Sequence, residues 1–290
     1  MIKNSFALAS FIYLFNSIGN VSQAIFIKHF HATTGIDMYN LITLKCLLVV
    51  ILMFPLILEH LKHVLHKLHI VIFLASLYAS DMLFYNSGLK YGVSANTATL
   101  ILLTVPLWIV VLGHIVLKER RFDKINAICI VLCLIAIALT VSSEVQIDGF
   151  NFGYILVFID SLIIPVSLIL QKKFNDCRPV LYAIWTNAIM LGIISFFMGN
   201  CTFPVVNKQN ICSALVVAFF DIMECGAVYI AYQMTEVALL QPIRFTRLPI
   251  AIVISWLLLN EKVTMIQIVA GTIIITVNLF SMWYSRKYQR

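Results

Sequence analysis

Along this chain apolar residues do not alternate with polar ones; they run. About ten stretches, each near the twenty residues a helix needs to cross a hydrocarbon core, follow one another with only short polar turns between them. They fall at Ser5–Ile27, Asp37–Leu58, His69–Leu89, Ser94–Leu117, Lys124–Val141, Gly149–Leu170, Pro179–Met198, Asn210–Tyr232, Ala238–Leu259 and Val263–Tyr284. The pattern predicts an all-α membrane protein of about ten transmembrane helices. Turns such as Lys90-Tyr91-Gly92 and Asn200-Cys-Thr-Phe-Pro204 leave no room for a soluble domain. The first run is too long for a signal-peptide core of about 7–15 residues, and no small-x-small cleavage site follows it. It is expected to be an uncleaved first span.

One pattern occurs twice, about half the chain apart. An apolar run carries a Pro near its middle and ends in an acidic–basic cluster. The first copy runs from Ser94 through Pro106 to Lys118-Glu119-Arg120-Arg121. The second runs from Ala238 through Pro242 and Pro249 to Asn260-Glu261-Lys262. The duplication divides the chain into repeats at 1–145 and 146–290. Five spans per half is an odd number, so the two copies must insert in opposite directions. Internal inverted repeats of this kind place binding sites between halves in membrane carriers.

Composition and charge sharpen the picture. The chain has 290 residues, 61% of them hydrophobic and 11% charged, an apolar excess that a soluble core and its polar skin cannot absorb. The net charge of +7 forms no stripe or motif for nucleic acid; it sits in short loops, where it sets topology. With the N-terminus inside, thirteen Lys and Arg fall on the cytoplasmic side, from Lys3 to Arg290. Only Lys28, Lys90, Lys208 and Lys262 fall outside. Both termini are therefore expected in the cytoplasm. The seven Cys make no Cys-x-x-Cys pair, which argues against a disulfide frame or zinc. No cofactor is expected, and there is no Gly-x-x-x-x-Gly-Lys-Ser/Thr loop for nucleotide hydrolysis.

Three stretches carry a family resemblance: Gly88-Leu-Lys-Tyr-Gly-Val-Ser-Ala-Asn-Thr-Ala, the run from Pro106 to Glu119, and Pro242-Ile-Arg-Phe-Thr-Arg-Leu-Pro249 leading to Asn260-Glu261. With the repeat, they resemble the EamA-type branch of the drug/metabolite transporter superfamily over nearly the whole chain. The Pro-x-Arg-Phe pattern resembles a subgroup of S-adenosylmethionine carriers and amino-acid or metabolite exporters. The resemblance implies secondary transport, not an enzyme, through a cavity lined mainly by helices one to four and six to nine. Family members often carry Arg in the second helix. This chain has Lys45 there, which keeps the charge and loses the planar fork.

Seven charges lie inside the apolar runs: Lys45, Asp81, Asp160, Asp221, Glu224, Arg244 and Arg247. A charge at the bilayer centre costs about 2.5–3.5 kcal/mol on insertion scales, so each is expected to pair, line a cavity or bind something. Arg244 and Arg247 share a helix face between Pro242 and Pro249, both of which loosen the helix. They either hold a substrate carboxylate or phosphate, or pair with Asp221 or Glu224. Tyr78, Asp81 and Tyr85 form one face of the third helix; Asp81 either carries a proton, meets a substrate amine, or pairs statically with Lys45. Asp160, Asp221 and Glu224 are further candidates for proton coupling. Asn16, Asn20 and Gln23 on the first helix, and Asp160, Ser167 and Gln171 on the sixth, form polar stripes. Each stripe lines a cavity or joins helices by hydrogen bonds. Trp108, Tyr229 and Tyr232 could face a cationic ligand or serve ordinary contact between helices. His60, His63, His66 and His69 suit a headgroup-level basic segment better than a metal.

The expectation is a carrier of a bacterial inner (plasma) membrane. It binds a small polar metabolite, amino-acid-like or nucleoside-like, between its halves, with the lipid bilayer as its other partner. An exporter of drugs or other metabolites on the same fold, a channel and a membrane enzyme stand as alternatives.

Overall fold

The computed structural model describes residues 2–58, 68–112, 115, 124–148, 151–173, 180–235 and 240–288. Every described element is helical: α1 (Ile2–Thr34), α2 (Met38–Ile57), α3 (Leu68–Lys90), α4 (Ala95–Leu102), α5 (Val105–Leu112), α6 (Lys124–Asp148), α7 (Gly153–Lys173), α8 (Val180–Met198) and α9 (Lys208–Met234), then a 3₁₀ turn (Gln241–Thr246), α10 (Arg247–Leu259) and α11 (Met265–Tyr288). Six of these segments are long and apolar enough to cross a membrane: Phe6–Thr34, Met38–Pro55, Leu68–Lys90, Gly153–Leu170, Lys208–Met234 and Gln241–Leu259. Four shorter apolar segments, Ala95–Ile109, Ala127–Ser142, Tyr182–Met198 and Met265–Ser281, fill the places of the remaining predicted spans. The chain is a multi-pass membrane protein. His60, His63, His66 and the cluster Lys118-Glu119-Arg120-Arg121 lie outside the described residues, as does the side chain of Gln171.

Turn chemistry places the helix ends. Asp37, Ser94 and Asn207 cap the starts of α2, α4 and α9, each side chain accepting a backbone N–H from the first turn. Gly35 (φ 70°) and Gly92 (φ 99°) end α1 and α3 in the left-handed region, where a Cβ would be strained.

The Pro-bearing fourth and ninth spans are interrupted, whereas Pro55 and Pro165 lie inside unbroken α2 and α7. Pro106 has no N–H for the carbonyl of Leu102, and the fourth span divides there into α4 and α5. Thr104 bridges the break, its hydroxyl donating to the carbonyl of Ile101 at 2.7 Å. The ninth span opens as a 3₁₀ turn with Pro242 in its first turn and becomes α-helical only at Arg247. Both arginines therefore sit at the junction of the two helical forms.

Helices associate by a regular scheme. The first span packs on the eighth and ninth, the second on the seventh and eighth, the third on the sixth and seventh, the fourth on the sixth and ninth, and the fifth on the tenth. Exchanging each span for the one five places along leaves these pairs unchanged, although the fourth span also packs on the tenth without a like contact between the ninth and the fifth among the described residues. Water gives no driving force between helices in lipid, so close backbone approach matters. Gly19 provides it between α1 and α9: a Cβ there would lie 2.7 Å from the Phe220 carbonyl oxygen. That approach brings Asn16 and Asn20 within reach of Glu224.

Candidate functional site

The polar stripes predicted on separate spans converge at the centre of the bundle. One small cavity is lined by Asn16 and Asn20 of α1, Tyr78 and Asp81 of α3, Ser167 of α7, Glu224, Cys225 and Tyr229 of α9, and Arg244 and Arg247 of the ninth span. Ile164, Leu168 and Val228 complete the wall. Residues of both halves contribute. The space amounts to about 30 Å³. A water needs roughly 10–15 Å³, so the cavity has room for a water or two but not for a metabolite.

The arginines are held through polar neighbours, not carboxylates. Arg244 Nε donates to the Tyr13 hydroxyl at 2.8 Å, and that hydroxyl meets the Tyr232 hydroxyl at 3.3 Å, the two rings stacking 5.8 Å apart. Arg247 Nη2 donates to Asn16 Oδ1 at 2.9 Å. Asn16 Nδ2 in turn donates to the backbone carbonyl of Glu224 at 3.1 Å, and Asn20 Nδ2 donates to Glu224 Oε1 at 2.7 Å. Three polar atoms of this buried group have no hydrogen-bond partner: Arg244 Nη1, Arg247 Nε and Glu224 Oε2. Unused donors on two guanidiniums and an unused acceptor on a carboxylate thus belong to residues that line one small space. A buried polar atom left unsatisfied costs about 1–3 kcal/mol, more when charged.

A second polar group lies beside the cavity. Lys45 Nζ ion-pairs with Asp221 Oδ1 at 3.0 Å and donates to Gln23 Oε1 at 3.3 Å. Tyr78 donates to the same Asp221 oxygen at 2.8 Å, and the Cys225 thiol donates to Tyr78 at 3.1 Å. Lys45 and Asp221 are nearly fully enclosed and stand outside the cavity lining. The ion pair joins Lys45 to Asp221, so neither the static Lys45–Asp81 pair nor a pairing of the arginines with Asp221 is present. Glu224 lies within electrostatic reach of Arg247 without a hydrogen bond between them.

Asp81 and Asp160 face each other across α3 and α7 within hydrogen-bonding reach. Asp160 is completely buried, and neither of its carboxylate oxygens has a protein donor. Tyr85, a turn beyond Asp81, is buried against Thr99 and does not line the cavity. Trp108 is half-buried in α5 and also stands away from it. Tyr229 does line it, its hydroxyl accepting from Asn187 at 3.3 Å. Among the described residues no group of three His, Cys, Asp or Glu is placed to hold a metal ion. Tyr13, which holds Arg244, is the residue of this group that pattern reasoning passed over. It continues the face of Asn16 and Asn20 by one turn, and that spacing was the available signal.

Comparison with known proteins bears on the fold. The sequence model described as the EamA-like transporter family matches residues 8–142, the first five spans. No curated protein matches the chain. A crystal structure described only as that of a protein shares the fold at a TM-score of 0.66, with 13% identity over 99% of this chain and 99% of that one. The chain is thus a multi-pass membrane protein whose first half matches a transporter family and whose whole length follows a known helical fold.

Proposed function

We propose that this chain is a secondary transporter that moves a small zwitterionic metabolite across a bacterial inner membrane by alternating access. The observation that supports it is the set of unsatisfied atoms around the central cavity. Arg244 Nη1 and Arg247 Nε offer donors to a carboxylate, while Glu224 Oε2 and the Asp81 carboxylate face a cationic group a few ångströms away. A free amino acid carries both charged groups on one carbon, and S-adenosylmethionine carries the same pair together with a sulfonium. In water each charge is solvated; here fixed dipoles and countercharges replace that solvation, which is how a polar solute can rest at mid-membrane.

The halves act as inverted repeats in this reading. The exchange symmetry of helix contacts supports it, and so does the asymmetry of Lys and Arg between alternate loops. The cavity lies between the halves, so rocking one against the other opens it to one side at a time. Its small volume fits a closed stage of that cycle. The interrupted fourth and ninth spans are where the backbone can yield.

Thermal stability of the detergent-purified protein against amino acids, S-adenosylmethionine, nucleotides and dipeptides tests the reading. A ligand at about 100 times its Kd stabilises by roughly 2.7 kcal/mol. Zwitterions should stabilise wild type and not Arg244→Ala. Stabilisation by anions alone, or by zwitterions equally in Arg244→Ala, would move the site elsewhere. Saturable counterflow in proteoliposomes separates a carrier from a pore.

A further inference from the structure

Counting charge around the cavity exposes an imbalance. Three basic side chains, Lys45, Arg244 and Arg247, share the core with four acidic ones, Asp81, Asp160, Asp221 and Glu224. Lys45 and Asp221 close on each other. The two arginines then face three carboxylates, one negative charge too many for a site so largely buried. The excess has an address. Asp81 and Asp160 come within hydrogen-bonding reach of each other, and Asp160, with no exposed surface, has no protein donor on either oxygen. Two ionised carboxylates at that range repel, whereas one proton between them turns repulsion into a hydrogen bond.

We propose that Asp81 and Asp160 form a proton-binding site that holds one proton at neutral pH and exchanges it in step with substrate. The coupling half of this statement rests on the transport reading above; the proton site itself does not. With the proton in place the cavity is neutral: one negative charge on the aspartate pair and one on Glu224 balance Arg244 and Arg247. A zwitterion adds no net charge. Parting the walls to one side admits water to Asp81, the member that lines the cavity, so the proton leaves to water there and is taken from water on the opposite side. Only one O–H bond forms or breaks. The groups facing the pair are Arg244 and Arg247 from the ninth span, Glu224 from α9, and Tyr85, held by Thr99, from α3. Both arginines favour release of the proton once water enters, which gives the site its two states.

Infrared difference spectroscopy on the purified full chain tests the proton site without any ligand. The protein is grown on isotopically labelled aspartate, so that Glu224 does not contribute to the labelled band. Wild type at neutral pH should show one labelled carboxylic-acid C=O band that fades on alkaline titration. Asp160→Asn should abolish it, because the remaining Asp81 ionises beside two arginines. Asp81→Asn should keep a shifted band on Asp160. Absence of a protonated aspartate band in wild type overturns the site, as does a band unchanged in both variants. Coupling is read in proteoliposomes with a labelled mixture of the common L-amino acids. Wild type should show counterflow together with uptake driven by a pH gradient, and Asp160→Asn should keep counterflow and lose the pH-driven component. Counterflow indifferent to the pH gradient, or following a sodium gradient instead, overturns the coupling. Absence of counterflow in wild type strikes at the transport reading, while the infrared result still decides the site.

Discussion

Lys28 of the first span and Glu261, just past the end of the ninth, form an ion pair of 2.7 Å, and the same Glu261 carboxylate accepts the backbone N–H of Ala95 at 3.0 Å. One acid thus ties three spans together at one end of the bundle. Its place is set by Asn260, whose left-handed backbone (φ 54°) ends α10 and turns Glu261 back toward the start of α4. There the carboxylate meets a helix N-terminus, where unpaired N–H groups and the helix dipole favour negative charge. Lys28 also donates to the carbonyl of Val93 at 3.1 Å, so the cation is held from both sides.

Two substitutions at Glu261 separate these contributions. Glu261→Gln keeps an acceptor for Ala95 and loses the ion pair. The pair is partly solvated, so it should cost only about 0.2–1 kcal/mol of stability. Glu261→Ala loses the acceptor as well and should cost about 1–2 kcal/mol more, as loss of a helix cap does. Lys28→Met should resemble Glu261→Gln. Thermal unfolding of the three proteins in one detergent reads the order. Equal losses at Gln and Ala would mean that the N–H contact contributes nothing.

Lys45 and Asp221 make the opposite case, a pair shut away from solvent. Removing one partner strands the other, at about 3–5 kcal/mol. Lys45→Met alone and Asp221→Asn alone should both unfold at markedly lower temperature. The double variant should recover most of the loss, because the Asn keeps an acceptor for the Tyr78 hydroxyl while no charge remains unpaired. Neither residue lines the cavity, so the recovered double variant should bind ligand as wild type does. A stable double variant that no longer binds would place the pair in the site after all.

How much of this was legible in the sequence depends on the range of the interaction. The helical segments and the interrupted fourth and ninth spans follow from local apolar length and from Pro106, Pro242 and Pro249, and the structure has a helix in each predicted place. That Asn16, Asp81, Glu224 and Arg244 must each pair, line a cavity or join helices was readable as well, because a polar face in lipid has few places to go. Which charge pairs with which was not. Lys45 chooses Asp221 over Asp81 because α2 packs on α9, a contact between residues 176 apart that no local pattern records. Tyr13 was hidden for the same reason: a tyrosine in an apolar run reads as filler until Arg244 arrives from the far half.

Tyr13 and Arg244 can be separated by what each does to binding. Arg244→Lys keeps the charge but loses the planar fork and the bond from Nε to Tyr13. Charge-assisted hydrogen bonds contribute about 1.5–3 kcal/mol, so affinity for a zwitterion should fall roughly ten- to a hundredfold. Tyr13→Phe leaves the guanidinium in place and removes one neutral acceptor that orients it, worth about 1 kcal/mol and close to fivefold in affinity. Isothermal titration with the best stabilising ligand reads both. A larger loss at Tyr13→Phe than at Arg244→Lys would make the tyrosine, not the arginine, the contact to ligand.

Gly19 links fold to site most directly. Any side chain there would place a Cβ 2.7 Å from the Phe220 carbonyl oxygen and 2.8 Å from the Glu224 backbone nitrogen, both parts of a helix that cannot give locally. Gly19→Val must therefore push α1 off α9. Overpacking of this kind costs about 1–3 kcal/mol. The displacement falls on the segment that carries Asn16 and Asn20, whose amides hold Arg247 and Glu224. Binding should suffer along with stability, in contrast to Glu261→Ala, which loosens the bundle far from the cavity. Gly19→Ala, with one methyl, should fall between wild type and Val in both readouts. Ligand affinity measured on the two Gly19 variants and on Glu261→Ala, at a temperature where all three are folded, checks the coupling. Loss of affinity confined to Gly19 would show that the α1–α9 crossing sets the cavity, and equal affinities across the set would show that it does not.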